Sequence, residues 1–534
     1  MKIPTFLAVS LIAFASQNAF AQSYPAFTGG EDIDIANIRA RTLMQGDMWW
    51  NPVDTTAACE FPKGSGKNIG YASSLWLSGF NSSSQLRESA QLYRTIGNDY
   101  WPGPYDNTDT SLGYQYAHSA QWAKIWKINS SAIDSFLKST QPDLSKIPKS
   151  ILDWPAIGNP YVQDANGLHL NIVTDMAPFV DVNGDGLYNP MNGDYPKMKG
   201  SQMLWRVFND YIIYNSQTYT FHLGVDVKSI AYAYENNSLI NNVVFYEYNV
   251  TNHSTSTYDS FRMGIFGDYD IGFAFDDFFG YDTARRMGVF YNGKAVDGNG
   301  NPGDYGVNPP MAGLLLLETP GDAYNSYSRP GCIFESINGS PNRQAFSGVS
   351  ISNVMRQKFP DGTPAPDSFF YGADGLTGSC VYHNMPGDLA TIISSKDYQF
   401  LPGESKKIAF ALVASEHAGG CPNEDFTGIL ATADSAIVYY WNAFRHTPTA
   451  VFNTPKAQKL KVFPNPAKEL LYVELPLNYN CDIRIYDVLG KSITLPMFQN
   501  GSKISINISG LSKGIYIIRN VANEEVQSNI FVKE

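Results

Sequence analysis

A chain of 534 residues is too long for one ordinary compact domain and leaves room for two to four. Hydrophobic residues make up 43% and charged residues only 16%, too apolar for a disordered polymer. Lys+Arg 38 against Asp+Glu 50 gives a net charge of −12, which argues against a nucleic-acid partner, because phosphate binding runs on surplus cations.

At the start, Lys2 precedes an apolar run from Ile3 to Ala15, and Ala19-Phe20-Ala21 supplies a small-x-small cleavage pattern. Residues 1–21 therefore read as a signal peptide, with the mature chain starting at Gln22. The run is shorter than the about 18–20 apolar residues a bilayer span needs, and no later segment reaches that length, so no transmembrane span is expected. Export exposes Cys59, Cys332, Cys380, Cys421 and Cys481 to oxidation. Their odd number leaves at least one thiol unpaired within the chain, and Cys332, Cys380 and Cys421 are grouped closely enough to be the pairing candidates. None lies in a C-x-x-C or at metal-ligand spacing from a histidine, so they read as structural.

Residues 22–200 form an aromatic-rich N-terminal region in which Trp49, Trp50, Trp76, Trp101, Trp122 and Trp126 crowd together. Core packing explains such rings first, and a sugar-stacking platform is the alternative. Ser130 to Leu137 has helical spacing with a cap at Asn129 or Ser130. The region ends in Asp181-Val182-Asn183-Gly184-Asp185-Gly186-Leu187-Tyr188-Asn189-Pro190-Met191-Asn192-Gly193-Asp194. Hard cations need several converging oxygens, and Asp181, Asn183 and Asp185 fall at positions one, three and five of such a loop. Gly186 permits the turn, the carbonyl of Leu187 falls at position seven, and Asn189, Asn192 or Asp194 can close the shell. The segment resembles the calcium loops of EF-hands, dockerins and thrombospondin type 3 repeats, which implies structural calcium. Asn192 stands where an EF-hand has its bidentate Glu, so a switch is not expected, and an Asx-rich turn without metal is the other reading.

Residues 201–446 read as a β-rich body domain with a terminal helix. Tyr219, Phe221, Leu223, Val225 and Val227 alternate with polar residues, as do Val244, Tyr246, Tyr248 and Val250, predicting two half-buried strands. Asp268, Asp270, Asp276, Asp277 and Asp282 then crowd one stretch, followed by Asp297, Asn299 and Asn301. Like charges this close raise carboxyl pKa values or attract a cation, which leaves a second calcium site, a solvated acidic surface, or paired carboxylates acting on a glycosidic bond. Pro402-Gly403-Glu404 is a turn before a strand at Ile408–Val413. Ile437, Tyr440, Trp441 and Phe444 mark one face of a packed helix. The seven histidines form no H-E-x-x-H, and no G-x-S-x-G elbow or phosphate-cradling loop occurs. No catalytic residue is assigned.

Pro-rich residues 447–459 read as a linker to a tail at 460–534. From Pro455 onward there are ten Lys/Arg against seven Asp/Glu, while the mature body carries 27 against 43. Short runs at Glu469–Leu475, Asp482–Val488, Lys503–Ser509 and Gly514–Arg519 are rich in Ile, Val, Leu and Tyr. Ile504, Ile506 and Ile508 alternate with polar residues, predicting a sandwich of about seven strands.

Val462-Phe463-Pro464-Asn465-Pro466-Ala467, Ile485-Tyr486-Asp487-Val488-Leu489-Gly490-Lys491, Leu511-Ser512-Lys513-Gly514-Ile515-Tyr516 and Phe531-Val532-Lys533 follow one another through the tail. Together they resemble the type A sorting domain of type IX secretion cargo. The resemblance implies an immunoglobulin-like β-sandwich read by an outer-membrane translocon, removal of the tail by a surface sortase, and attachment of the body to a surface glycolipid or its release. Ser74–Gly79, Asn98–Pro104 and Phe179–Gly186 also look like segments of a group of large exported proteins with the same tail and no activity to carry over.

The fold expected is mainly β: a β-sandwich-rich body with peripheral helices and a calcium-type loop, then the tail sandwich. The function expected is a secreted or surface protein, calcium-stabilised, that binds or adheres to a ligand such as a glycan. The alternative is a secreted glycan-active hydrolase using Asp268, Asp270, Asp276 or Asp277.

Overall fold

The computed structural model describes in full residues 26–94, 97–139, 143–211, 215–235, 237–238, 240–320, 347–364, 387–416, 425–441, 460–474, 483–487, 493–520 and 529–534. Residues 327–334, 442–443, 492, 521–522 and 525–528 are described by backbone alone. The signal peptide, the linker, Cys380, Cys421, Cys481 and the side chain of Cys332 lie outside the fully described residues. Cys59 is a buried thiol without a disulfide partner, and burial raises its pKa. The chain divides into two compact units, Met1–Thr447 and Pro448–Glu534.

The first unit is built on two stacked antiparallel sheets. One has nine strands, in the order Trp126–Asn129, Gln202–Asn209, Val225–Ala233, Val243–Asn252, Ser405–Ser415, Met311–Glu318, Met287–Asn292 and Asp277–Asp282, with Trp101–Pro102 also on Gln202–Asn209. The other has six: Tyr327–Phe334, Leu389–Ser395, Tyr258–Tyr269, Ala72–Phe80 and Leu86–Ser89, with Tyr398–Phe400 also on Tyr258–Tyr269. Leu75, Leu77, Met263 and Ile265 from the smaller sheet meet Val244, Tyr246, Phe410 and Leu412 from the larger in one buried core.

The outer face of the nine-stranded sheet is buried too. Helix Thr427–Ala443 lays Ile429, Ala433, Ala436 and Tyr440 against Phe245, Ala411 and Val413. Strand Ser405–Ser415 thus has apolar neighbours on both sides, which is why Ile408–Val413 reads as an unbroken apolar run instead of an alternation. Helix Gly348–Met355 covers the outer face of the six-stranded sheet through Ile351, Val354 and Met355.

Several expectations change in three dimensions. Strand Ala72–Phe80 from the N-terminal region pairs directly with Tyr258–Tyr269, so the regions drawn on either side of residue 200 share one sheet. The strand expected from Tyr219 begins only at Val225. Tyr219 has a φ of +56° and, like Phe221, faces solvent, because the connection after strand Gln202–Asn209 closes on Asn215 and Thr220 before the next strand starts. Helix Ser130–Lys138 forms as expected, but Asn129 gives it no side-chain cap; its Oδ1 instead accepts from Gln202 Nε2 at 3.0 Å. Trp49, Trp50, Trp76, Trp101, Trp122 and Trp126 are all buried, as core packing predicts. Trp76 stacks on Phe266 at 4.9 Å, and Trp49 donates to the Tyr246 hydroxyl at 3.0 Å.

The second unit is a sandwich of two four-stranded sheets, eight strands where about seven were expected. One runs Lys461–Phe463, Leu470–Glu474, Lys503–Asn507, Met497–Asn500 and the other Ser492–Ile493, Ile483–Asp487, Gly514–Ala522, Glu525–Lys533. Ile504, Ile506 and Ile508 all point into the core, opposite Ile485, Ile518 and Phe531.

Candidate functional site

The loop at 181–194 is ordered by its own acidic and amide groups. Asp181 accepts from the amides of Gly184 at 2.7 Å and Gly186 at 2.8 Å. Asp194, fully buried, accepts from Val182 at 2.8 Å and Asn189 at 2.9 Å. Asp185 accepts from the Leu187 amide and from Asn183 Nδ2, and Asn189 accepts from Met191. Gly184 and Gly186 take φ of +75° and +78°, the left-handed turns a side chain resists. Asn192 is exposed at the loop's end. The donor set of carboxylates, amide oxygens and the Leu187 carbonyl suits a hard cation. Each of the three carboxylates is nonetheless engaged with loop amides.

The second acidic group gathers around the end of strand Tyr258–Tyr269. Register places Asp268 opposite Ala390 and Tyr269 opposite Leu389, the last pair, and Asp270 and Asp388 lie just beyond it. Asp268 and Asp270, two residues apart, share a face with Asp388. Among the described residues, Asp268, Asp270 and Asp388 bring one ligand oxygen each within 4.8 Å of one another. Tyr93 donates its hydroxyl to Asp268 Oδ2 at 2.8 Å. Asp277 opens the edge strand of the other sheet and is fully buried. Its Oδ2 accepts from the Ile271 amide at 2.9 Å, and among the described residues its Oδ1 has no hydrogen-bond partner. Burial pushes this carboxyl well above the usual range, reinforced by Asp270, Asp276 and Asp297.

Further along, Asp297 accepts from the amides of Phe273 and Tyr305, and Asp304 from those of Asn299, Gly300 and Asn301. Gly272 is obligatory here: at φ +66°, a Cβ would sit 2.1 Å from Asp297 Oδ2. Asp276 is buried, and burial raises its pKa; Lys294, 3.8 Å away, is mostly exposed. Asp282 does not join the group, since Arg285 pairs with it at 2.7 Å. Asp388 and Asp304 escaped the sequence reading. Asp388 has no acidic neighbour in sequence and reaches the group only because the strand that follows it pairs with Tyr258–Tyr269.

A third feature is aromatic. Between strands Gln202–Asn209 and Val225–Ala233, Tyr219 and Phe221 are 58% and 60% exposed, with the Arg87 guanidinium 4.8 Å over the Phe221 ring. In the same connection Tyr211 lies 4.4 Å from Tyr105 and 4.8 Å from His222. Tyr105 in turn stacks on His253 at 5.0 Å. His253 meets Asp226 at 3.1 Å.

In the second unit, the motif opening the tail and the one closing it touch. Asn465 Nδ2 donates to the Ile530 carbonyl and its Oδ1 accepts from the Val532 amide, both at 2.8 Å. Ala467 adds a bridge to Lys533. Tyr516 stacks on Phe531 at 5.5 Å and donates to the Ser512 carbonyl at 2.8 Å. The motif residues therefore hold the sandwich closed. Residues 461–534 match the family model described as a secretion system C-terminal sorting domain. The chain carries a type IX secretion sorting domain.

The sorting domain makes the chain type IX secretion cargo, exported to the cell surface or secreted, and its partner is that secretion machinery. Among the described residues no helix is long and apolar enough to cross a membrane. No curated protein matches the chain. A solved structure described as a polysaccharide lyase is similar over 58% of this chain and 34% of its own, at 10% identity and a TM-score of 0.19. This chain thus spans about a third of that protein's length, and so slight a likeness bears on neither fold nor activity.

Proposed function

We propose that the exported body is a calcium-stabilised binding or adhesion protein whose ligand is a saccharide. The observation that carries this reading is the exposed aromatic corner at Tyr219 and Phe221, with Arg87 stacked on it. Solvent-exposed flat rings beside a guanidinium suit the faces and hydroxyls of a sugar. The eight described tryptophans other than Trp441 are all buried, so they offer no competing platform. Calcium at Asp181, Asn183, Asp185, Leu187, Asn189, Asn192 and Asp194 would brace the loop. The sortase and translocon would act through the tail, leaving the body on a surface glycolipid or free.

What favours binding over a glycan-active hydrolase is the placement of the carboxylates. Hydrolysis needs two carboxyls facing each other about 5–10 Å apart across a substrate cleft. Asp268, Asp276 and Asp277 are buried instead, and Asp268 and Asp270 crowd against Asp388.

The test is a glycan and matrix array probed with the purified mature protein and a Tyr219→Ala/Phe221→Ala variant. Binding by the wild type that the variant loses, at a stability within about 0.5 kcal/mol as for ordinary surface substitutions, is the expected result. No binding by the wild type to any glycan or matrix component would overturn the reading.

A further inference from the structure

We propose that Asp268, Asp270 and Asp388, with Asp277 beside them, form a binding site for a divalent hard cation, calcium, that ties the ends of the two body sheets together. This site is separate from the 181–194 loop and independent of the saccharide reading.

The first support is geometric. One oxygen from each of Asp268, Asp270 and Asp388 lies within 4.8 Å of the others. Calcium takes oxygens at about 2.4 Å, so two ligands on opposite sides of the ion stand about 4.8 Å apart, and the three fit a single coordination sphere. The arrangement is dictated by the strands. Asp268 lies on one strand with Asp270 one residue past its end, and the register that pairs Tyr269 with Leu389 brings Asp388 to the same end.

The second support comes from the other sheet. Asp277 is fully buried. Its Oδ2 is held by the amide that follows Asp270, and its carbonyl accepts from the Gly387 amide, which precedes Asp388, at 3.1 Å. Anchored on both strand ends beside the trio, it keeps a buried Oδ1 with no hydrogen-bond partner among the described residues. A buried carboxylate oxygen without a partner is costly, and a cation is the group that would satisfy it together with the neighbouring trio.

Calcium fits better than magnesium. Calcium accepts six to eight oxygens in irregular geometry from carboxylates and carbonyls, whereas magnesium demands a near-ideal octahedron and keeps its waters. The consequence is structural. Asp268 lies near the end of a central strand of the six-stranded sheet with Asp270 just past it, Asp388 precedes its neighbour, and Asp277 opens the edge strand of the nine-stranded sheet. One ion would bridge both layers at that end.

The experiment uses the full mature chain stripped with EDTA and titrated with calcium chloride by calorimetry, alongside terbium chloride luminescence sensitised by nearby tyrosines. Three forms are compared: wild type, Asp181→Ala/Asp185→Ala, and Asp270→Asn/Asp388→Asn. The loop variant is expected to keep one saturable calcium site, and the Asp270/Asp388 variant to bind one calcium fewer than wild type. Thermal melts supply a second readout. Without calcium the Asp270/Asp388 variant should melt above wild type, because two repelling charges are gone. With calcium the order should reverse.

Unchanged stoichiometry in the Asp270/Asp388 variant, or calcium-independent melting order, would overturn the proposal. If the loop variant binds no calcium while wild type binds one, the ion belongs to 181–194 and the site at Asp388 is refuted. If wild type binds one calcium that only the Asp270/Asp388 variant loses, the loop reading fails and this one stands.

Discussion

Replacing Glu247 by alanine should destabilise the body by about 3 kcal/mol, the low end of the cost of breaking a buried ion pair from one side. Glu247 is 4% exposed on strand Val243–Asn252. It receives Lys199 at 2.6 Å and Lys407 at 3.0 Å. Lys407 keeps a second partner, Glu318 at 2.9 Å, and Lys199 still lies over the Tyr232 ring at 5.7 Å, which limits the loss. Glu247→Gln preserves volume and one acceptor and should cost less, about 1.5–2 kcal/mol, the worth of a hydrogen bond to a charged group.

The pH dependence has a definite sign. Burial pushes the Glu247 carboxyl up, but Lys199 and Lys407 together hold it below its ordinary value. Its contribution is therefore complete above the unfolded pKa, about 4.3, and fades as pH falls through the lower folded value. Lys199 shifts downward as well, because burial there outweighs Glu247. The two shifts assign opposite worth to the same pair. The 2.6 Å contact to a carboxylate whose side chain is only 5% exposed makes Glu247 the member whose charge the pair stabilises. Urea unfolding of wild type and both variants at pH 7 and pH 3 measures this. A Glu247→Ala loss under about 0.5 kcal/mol, the range of ordinary surface substitutions, would refute the reasoning. So would a gap between wild type and Glu247→Gln that does not narrow at pH 3.

Ile506, fully buried between the sheets of the sorting domain, should not tolerate Asp. Ile506→Asp, like deletion of residues 455–534, should strand the body in the periplasm, scored by protease accessibility on intact cells; normal surface display of either would show that a folded tail is not the address. His118 is mostly buried, and burial lowers its pKa despite Asp106 nearby. The unfolded chain therefore takes up the proton first, and stability should decline as pH drops below about 6.5. His118→Gln should flatten that decline, and an identical slope in wild type and variant would dismiss it.

What the amino-acid sequence determined by itself is what short-range chemistry controls. Alternation at Ile504, Ile506 and Ile508 specifies a strand with one buried face, and helical spacing at Ile437, Tyr440 and Trp441 specifies a packed helix, because side-chain direction repeats every two residues in one and every 3.6 in the other. The tail motifs are legible for the same reason: Asn465 and Phe531 make contacts fixed within one small sandwich. The Asp181–Asp194 loop is equally local, since its carboxylates bond amides a few residues away. Alternation misleads at Tyr219 and Phe221, where the period-2 pattern runs on past the point at which the backbone turns away from the core. Only the tertiary structure decided which face of each strand meets another layer, that strand Ala72–Phe80 lies beside Tyr258–Tyr269, and that Asp388 joins Asp268 and Asp270. Strand register is set by the summed burial of both partners across the sheet, a quantity no single segment contains.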